Sequence, residues 1–284
     1  EQMTWTMDIK TCLLHFKDMP AHLQFNPYIH TGYRPLLSLW GCLCSLFYVH
    51  NETINIFTHG LPILFITLVV PRLMPWEISS FLSWCHIIGS VSPWIGSFVY
   101  HLFMNVDYGE GCYCRLLQLD MLGIWISQSF GALPMVQASV FCLPFYLQFL
   151  IILCYCCGSI IGLYKAMRAW SPWKRRLCFS MPFIMRSLLC CLRYSRYGGG
   201  DPGSLIHVIM QDALSLLGGT IGAMNIPEKW FPGCLDLYFN SHNIMHILVV
   251  LAVYPMYQST VKDIVWMAQG ECKTHRLSDL HAEL

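Results

Sequence analysis

Residues 241–265, SHNIMHILVVLAVYPMYQSTVKDIV, join two histidines to an apolar run long enough to cross a bilayer. Histidine is costly in hydrocarbon, so ionisable groups at membrane depth usually mark function. Because His242 and His246 are four residues apart, their rings project from the same face of a helix. The pair predicts a metal-binding turn at the mouth of the last apolar run.

A third histidine stands at the end of another apolar run. His101 lies near the end of residues 78–103, and Ser97 precedes it by one helical turn. Three protein ligands with an open fourth position are the arrangement of a catalytic zinc. We therefore predict a Zn²⁺ site on His101, His242 and His246. The alternative is that these are packing histidines with hydrogen-bonded rings, which is the commoner role of a single histidine in an apolar segment.

The composition is that of a membrane protein. The 284 residues are 55% hydrophobic, 14% aromatic and only 12% charged, whereas about 25% charged residues is usual for a soluble domain. A formal net charge of +1 gives no long-range field for nucleic acid. We see no arginine-rich patch with interleaved aromatic residues either, so nucleic acid is excluded as a partner.

Seven apolar runs predict an all-α integral membrane protein. They cover residues 54–70, 78–103, 116–133, 136–163, 177–192, 204–224 and 244–265. The fifth run is short and contains Arg186. An odd number of spans is favoured, however, because it brings the end of the second run and the start of the last to one side of the membrane. With six spans, His101 and His242 would lie about 30 Å apart.

The distribution of lysine and arginine predicts the orientation. These residues are more frequent on the N-terminal side, chiefly through the cluster at 165–176. The positive-inside rule then places the N-terminus and the zinc site on the cytosolic side. We expect a cytosolic segment over residues 1–50, seven transmembrane helices over 51–266 and an extracellular or lumenal tail over 267–284. A short amphipathic juxtamembrane helix is expected in the first segment, built from Trp5, Cys12, Leu13, Leu14 and Phe16.

The fifteen cysteines are interpreted as packing or lipid-facing residues rather than as a disulfide framework. Several fall within apolar runs, as Cys154, Cys156 and Cys157 do. The alternative for cysteines near the membrane surface is reversible palmitoylation.

The polar residues near the histidines suggest a reaction. A zinc ion lowers the pKa of a bound water to about 7 and polarises a carbonyl group. Asp120, one turn into the third run, would act as general base. Ser97 would donate to the developing oxyanion or hold a ligand ring. This predicts hydrolysis of an amide or ester whose hydrocarbon tail lies between the spans. Alternatively, Asp120 pairs with Arg115, while His50, Glu52 and His59 form a structural network or line an entry.

Several motifs resemble one family, the progestin and adipoQ receptors, which include the adiponectin receptors. The motifs are NPYIHTGYRP at 26–35, HNETINIFTH at 50–59, SxxxH at 97–101, Asp120 in the third span, IPEKWFPG at 226–233 and SHNIMH at 241–246. The resemblance implies seven helices, a cytosolic N-terminus, and zinc on the three histidines with Asp120 and Ser97 near the bound water. Asn243 replaces the glutamine that is usual in the family, and we expect it to lie off the metal-facing side with little consequence.

The resemblance also implies ceramidase-like chemistry, which releases a sphingoid base and a fatty acid from ceramide. We therefore expect a membrane protein that controls ceramide levels, with ceramide or a related lipid as its partner. Two alternatives remain: a non-catalytic lipid-binding regulator or scaffold of sphingolipid enzymes, and a ligand-activated receptor. The Golgi or another endomembrane is the expected location, ahead of the plasma membrane.

Overall fold

The computed structural model describes residues 13–169, 171–270 and 272. Over these residues the secondary structure is helical, apart from two isolated β-bridges, Leu14–Tyr33 and Leu37–Val106. The α-helices are α1 (Leu39–Cys44), α2 (Thr53–Leu73), α3 (Ser80–Phe103), α4 (Gly109–Ile126), α5 (Leu133–Val140), α6 (Phe145–Met167), α7 (Pro172–Tyr194), α8 (Leu205–Met224), α9 (Ser241–Leu251) and α10 (Val253–Gln269).

Some of these helices join into longer rods. A π-helical turn at Ser127–Gly131 links α4 to α5, and Ala252 links α9 to α10. The described chain thus contains seven long rods. In chain order they are α2, α3, α4 with α5, α6, α7, α8, and α9 with α10. The predicted boundary between the third and fourth runs, near residue 135, is wrong. Pro134 falls in the first turn of α5, where its missing N–H costs no hydrogen bond, and the chain turns only after Val140.

Five of the rods are long and apolar enough to cross a membrane, which makes the chain a multi-pass membrane protein. They are Thr53–Leu73, Phe145–Met167, Leu177–Tyr194, Leu205–Met224 and Ser241–Gln269. The α3 helix is not among these five, and it buries polar side chains within the bundle, including Ser83, His86 and Ser90. The α4 helix carries three charged residues, Glu110, Arg115 and Asp120.

Among the described residues, two apolar clusters join the long helices to one another, and a third joins the N-terminal segment to the end of α3 through Tyr33 and Tyr100. One joins α2, α3 and α10 through residues such as Ile66, Trp94 and Ile264. The other joins α5 to α6, α7 and α8 and includes the buried side chains of Val136 and Tyr155. The first cluster holds α3, which carries His101, between α2 and α10.

Glycines let α3 and the third rod touch at the backbone. A Cβ atom placed on Gly96 would lie 3.0 Å from Cα of Asp120, and one on Gly123 would lie 2.9 Å from Cα of Pro93. Small residues permit such close approach between membrane helices. The contact at Gly96 sets Asp120 beside the turn that begins with Ser97.

The N-terminal segment differs from the prediction. Leu14 does not enter a helix, because its N–H bonds to the carbonyl of Tyr33 at 2.7 Å and the N–H of Phe16 to that of His30 at 3.0 Å. The short helix of this segment is α1, which exposes Trp40. Trp5 and Cys12 lie outside the described residues.

The face opposite the histidines holds a disulfide between Cys142 and Cys272, so the expectation of unpaired cysteines is wrong for this pair. The two are 130 residues apart, and each follows the end of a rod that runs away from the histidines. A buried ion pair lies on the same face, where Arg193 binds both oxygens of Asp263 at 2.7 Å. The remaining tail, 273–284, lies outside the described part of the chain.

Candidate metal centre

The structure brings the three predicted histidines together. His101 lies in the last turn of α3, and His242 and His246 lie in the first two turns of α9. One ligand atom from each histidine lies within 4.8 Å of the others. The side chains of His101 and His246 are almost fully buried, at 2% and 1% exposure. A histidine cluster that could hold a metal ion therefore forms between two rods that are far apart in sequence.

Hydrogen bonds orient two of the rings. Nδ1 of His101 lies 2.7 Å from Oε2 of Glu52. Nδ1 of His246 lies 3.2 Å from the hydroxyl of Thr58, which donates its own proton to the carbonyl of Ile54 at 2.6 Å. Both Nδ1 atoms therefore act as donors, which leaves each Nε2 with a free lone pair. Metal-bound histidines usually have such partners behind the ring.

The donor set fits a zinc ion. Nε2 of His101 and Nε2 of His242 lie 3.2 Å apart. Two nitrogens bound to zinc at about 2.0–2.1 Å with tetrahedral angles would lie roughly 3.3–3.4 Å apart. Three imidazoles that need not ionise are also the ligand set of known catalytic zinc sites with an open fourth position.

The α2 helix supplies no ligand but surrounds the site with orienting groups. Glu52 precedes its first turn, Thr58 contacts His246, and the ring of His59 stacks on that of His246 with 3.6 Å between centroids. Nδ1 of His50 accepts from the N–H of Glu52 at 3.1 Å. A hydrogen bond thus links His50 to Glu52, whereas His59 contacts the site only through its ring. The interpretation that His50, Glu52 and His59 form a structural network or line an entry stays a prediction.

Glu52 is held as a carboxylate. Its burial raises the pKa of the carboxyl group, but His101, Asn55 and His242 together lower that pKa to about 2. The ionised oxygen then accepts the Nδ1–H of His101, which fixes both the tautomer and the tilt of that ring.

Ser97 and Asp120 lie on adjoining helices near the cluster. Ser97 is buried one turn before His101, and Asp120 sits on α4 against Gly96. The ion pairs among the described residues join Glu52 to His101, Arg186 to Asp212 and Arg193 to Asp263. The suggested pair between Arg115 and Asp120 is therefore not formed in the described chain.

Arg34 fixes the turn that carries His101. This arginine is fully buried and donates to the carbonyls of His101 at 2.6 Å and Leu102 at 3.0 Å, and to Oδ1 of Asn105 at 3.3 Å. A cation at a helix C-terminus also interacts favourably with the helix dipole. Arg34 belongs to the motif at 26–35, but this role was not predicted, because carbonyl partners 67 and 68 residues away leave no local pattern.

The start of α9 is fixed in a similar way. Glu228, fully buried, accepts from the N–H of Ser241 at 2.6 Å, from its hydroxyl, and from Nδ2 of Asn26 at 3.0 Å. Asn240 caps the helix by accepting from the N–H of Asn243 at 3.0 Å. The IPEKWFPG motif thus provides an anchor for the turn that begins with His242.

Comparison with known proteins agrees with this architecture. Residues 47–257 match the family described as haemolysin-III related. Progestin and adipoQ receptor family member 4 of Homo sapiens is 40% identical, over 92% of this chain and 96% of that protein. The adiponectin receptor protein of Drosophila melanogaster is 30% identical, over 89% of this chain and 59% of that protein. The chain therefore belongs to the haemolysin-III-related family, within its progestin and adipoQ receptor group.

Proposed function

We propose that this protein is a zinc-dependent intramembrane hydrolase that cleaves the amide bond of ceramide or a closely related lipid. The observation that carries the proposal is the convergence of His101, His242 and His246, whose ligand atoms lie within 4.8 Å of one another. A zinc ion bound there would supply an activated water and polarise the carbonyl of the substrate.

The chain's own residues provide the other parts of the reaction. Asp120 would accept the proton released when water attacks the carbonyl carbon, and deliver it to the leaving nitrogen. Ser97 would donate a hydrogen bond to the oxygen on which negative charge develops. Glu52 would hold the His101 ring in place throughout, since its hydrogen bond is to the nitrogen that faces away from the cluster.

A lipid substrate suits the surroundings of the site. The cluster is enclosed by rods whose outer surfaces are apolar, as Leu61, Phe65 and Leu68 on α2 illustrate. An amide with a long hydrocarbon tail could enter from the bilayer with its tail still in an apolar environment. Ceramide is proposed because the motifs resemble those of the adiponectin receptors.

We further propose that all seven rods cross the membrane with the histidines on the cytosolic side. The polar side chains of α3 are buried in the bundle, so lower overall apolarity does not prevent this helix from spanning. The disulfide between Cys142 and Cys272 lies on the opposite face, and disulfides persist in the lumen or outside the cell. An endomembrane such as the Golgi would provide that lumen.

The test is metal content followed by turnover in detergent-purified protein. We expect about one zinc per chain in the wild type and its loss in His242→Ala. Asp120→Asn should retain the zinc but lose ceramide hydrolysis by roughly 100-fold or more, because only the proton acceptor is removed. Wild-type protein without zinc, or Asp120→Asn with unchanged turnover, would contradict the proposal.

A second candidate is favoured by the names of the relatives, which are called receptors. In that case the protein would bind a lipid or another ligand, or hold sphingolipid enzymes together, and zinc would only join α3 to α9. Zinc present at one per chain with no hydrolysis by the wild type, and with His242→Ala less stable, would support this alternative.

A further inference from the structure

A continuous chain of side-chain hydrogen bonds leads from His101 to the first turn of α9. Oε2 of Glu52 accepts from Nδ1 of His101 and from Nδ2 of Asn55, each at 2.7 Å. Oδ1 of Asn55 accepts in turn from Nδ2 of Asn243, again at 2.7 Å. All four side chains are buried. Three helices are therefore linked through their side chains behind the histidine cluster.

The end of this chain lies between two candidate ligands. Asn243 follows His242 and precedes His246, and it is 1% exposed. It points away from the cluster, as expected from the sequence, but the expectation of little consequence is not supported by its contacts. Its amide reaches the α2 helix rather than lipid or solvent.

The hydrogen bond from Asn243 fixes the orientation of the Asn55 carboxamide group. A carboxamide has a donor end and an acceptor end of nearly the same shape. Because Asn243 donates to Oδ1 of Asn55, the NH₂ group of Asn55 must face Glu52. Without that donor, Oδ1 of Asn55 would be a buried acceptor with no partner, and the Asn55 side chain could rotate away from Glu52 to reach another donor. Glu52 would then lose a hydrogen bond and its fixed position beside His101.

We propose that Asn243 and Asn55 are positioning residues for the metal site, acting on His101 through Glu52. This inference rests on the zinc site of the proposed function and adds to it the means by which the ligand from α3 is aligned with the two from α9. Residues behind metal ligands typically change metal affinity by about 10- to 100-fold. We expect an effect at the lower end for Asn243, which is separated from His101 by two other side chains.

The experiment compares Asn243→Leu, which keeps the volume but removes the amide, with Asn243→Gln, which keeps an N–H donor. Met245→Leu is the matched control, because the Met245 side chain packs against Gly222 on α8 and takes no part in this chain of hydrogen bonds. Zinc affinity is measured by competition with a chelator on the full-length protein. The visible absorption of the Co²⁺ form reports ligand geometry, and thermal unfolding reports folding.

We expect Asn243→Leu to weaken zinc binding by roughly tenfold and to alter the Co²⁺ spectrum. Asn243→Gln should remain within about threefold of the wild type, and Met245→Leu should match it. If Asn243→Leu does not fold, Asn243→Ser is used with the same expectation. Equal affinity and spectrum in the wild type and the folded Leu or Ser variant would overturn this proposal alone. A wild type without zinc would overturn the proposed function as well.

Discussion

Glu52 and His50 show how single residues can stabilise the site without binding the metal. Glu52 is ionised and orients His101, whereas His50 is kept neutral by its surroundings. Burial and the nearby Arg34 cation together lower the pKa of His50 to about 3. A neutral ring is also required by its hydrogen bond, because Nδ1 accepts from the N–H of Glu52.

This difference predicts a pH dependence of stability. In the unfolded chain His50 would take up a proton near pH 6.5, but in the folded protein only near pH 3. The unfolded state therefore binds more protons between these values, and acidification below pH 6.5 should destabilise the fold by up to roughly 1.4 kcal/mol per pH unit from this residue. His50→Gln removes the titrating group.

The measurement is the melting temperature of both proteins from pH 7 to pH 5 in detergent. The wild type should lose more stability than His50→Gln over this range. Parallel curves for the two proteins would show that His50 does not contribute.

At the scale of elements, the contact between α3 and α4 requires glycine where the two backbones meet. The two helices meet at Gly96, the residue before Ser97. Asp120 lies against Gly96 on the facing helix. The proposed proton acceptor thus depends on a backbone contact that only glycine permits.

We therefore expect Gly96→Ala to destabilise the protein by about 1–3 kcal/mol, since its Cβ would lie 2.7 Å from the carbonyl oxygen of Leu119. It should also reduce turnover by displacing Asp120. Gly219→Ala on α8 is the control, because nothing lies within 4 Å of a Cβ at that position. Thermal unfolding and ceramide hydrolysis are compared for the two variants. Equal stability would mean that the helices can separate at no cost.

Part of the candidate site could be predicted from the sequence, and part could not. The positions of the three histidines in their spans were predictable, because helical spacing and an odd number of spans bring them to one side. The parts that Asn55, Thr58 and Arg34 play in orienting the site were not predicted. The partners that give them these parts, Asn243, His246 and His101, lie 188, 188 and 67 residues away, and only packing of the helices brings them together. The boundary at Pro134 was missed because a proline in a first turn resembles a helix break.

At the scale of the whole molecule, the disulfide joins the end of the third rod to the end of the last. No local pattern marks cysteines separated by 130 residues, so sequence analysis gave no sign of it. A loop of that length gives a chain-entropy stabilisation of up to about 5 kcal/mol. Its position, opposite the histidines, supports the proposed lumenal or extracellular side of the membrane.

We expect Cys142→Ser to lower the melting temperature and to abolish the Cys142–Cys272 peptide link in non-reducing mass spectrometry. Cys154→Ser, which replaces an exposed unpaired cysteine on α6, should leave both unchanged. Detection of free Cys142 in wild-type protein that has not been reduced would contradict the assignment.

The separation of the candidate ligands along the chain has a consequence for biosynthesis. His101 emerges from the ribosome about 140 residues before His242, and Arg34 and Glu52, which hold it, emerge earlier still. The first half of the site can therefore be prepared while translation continues. Its other half arrives only with α9, so a nascent chain that stops before residue 241 contains one of the three histidines. Loading of the proposed metal would then follow synthesis of α9, as a late step in maturation.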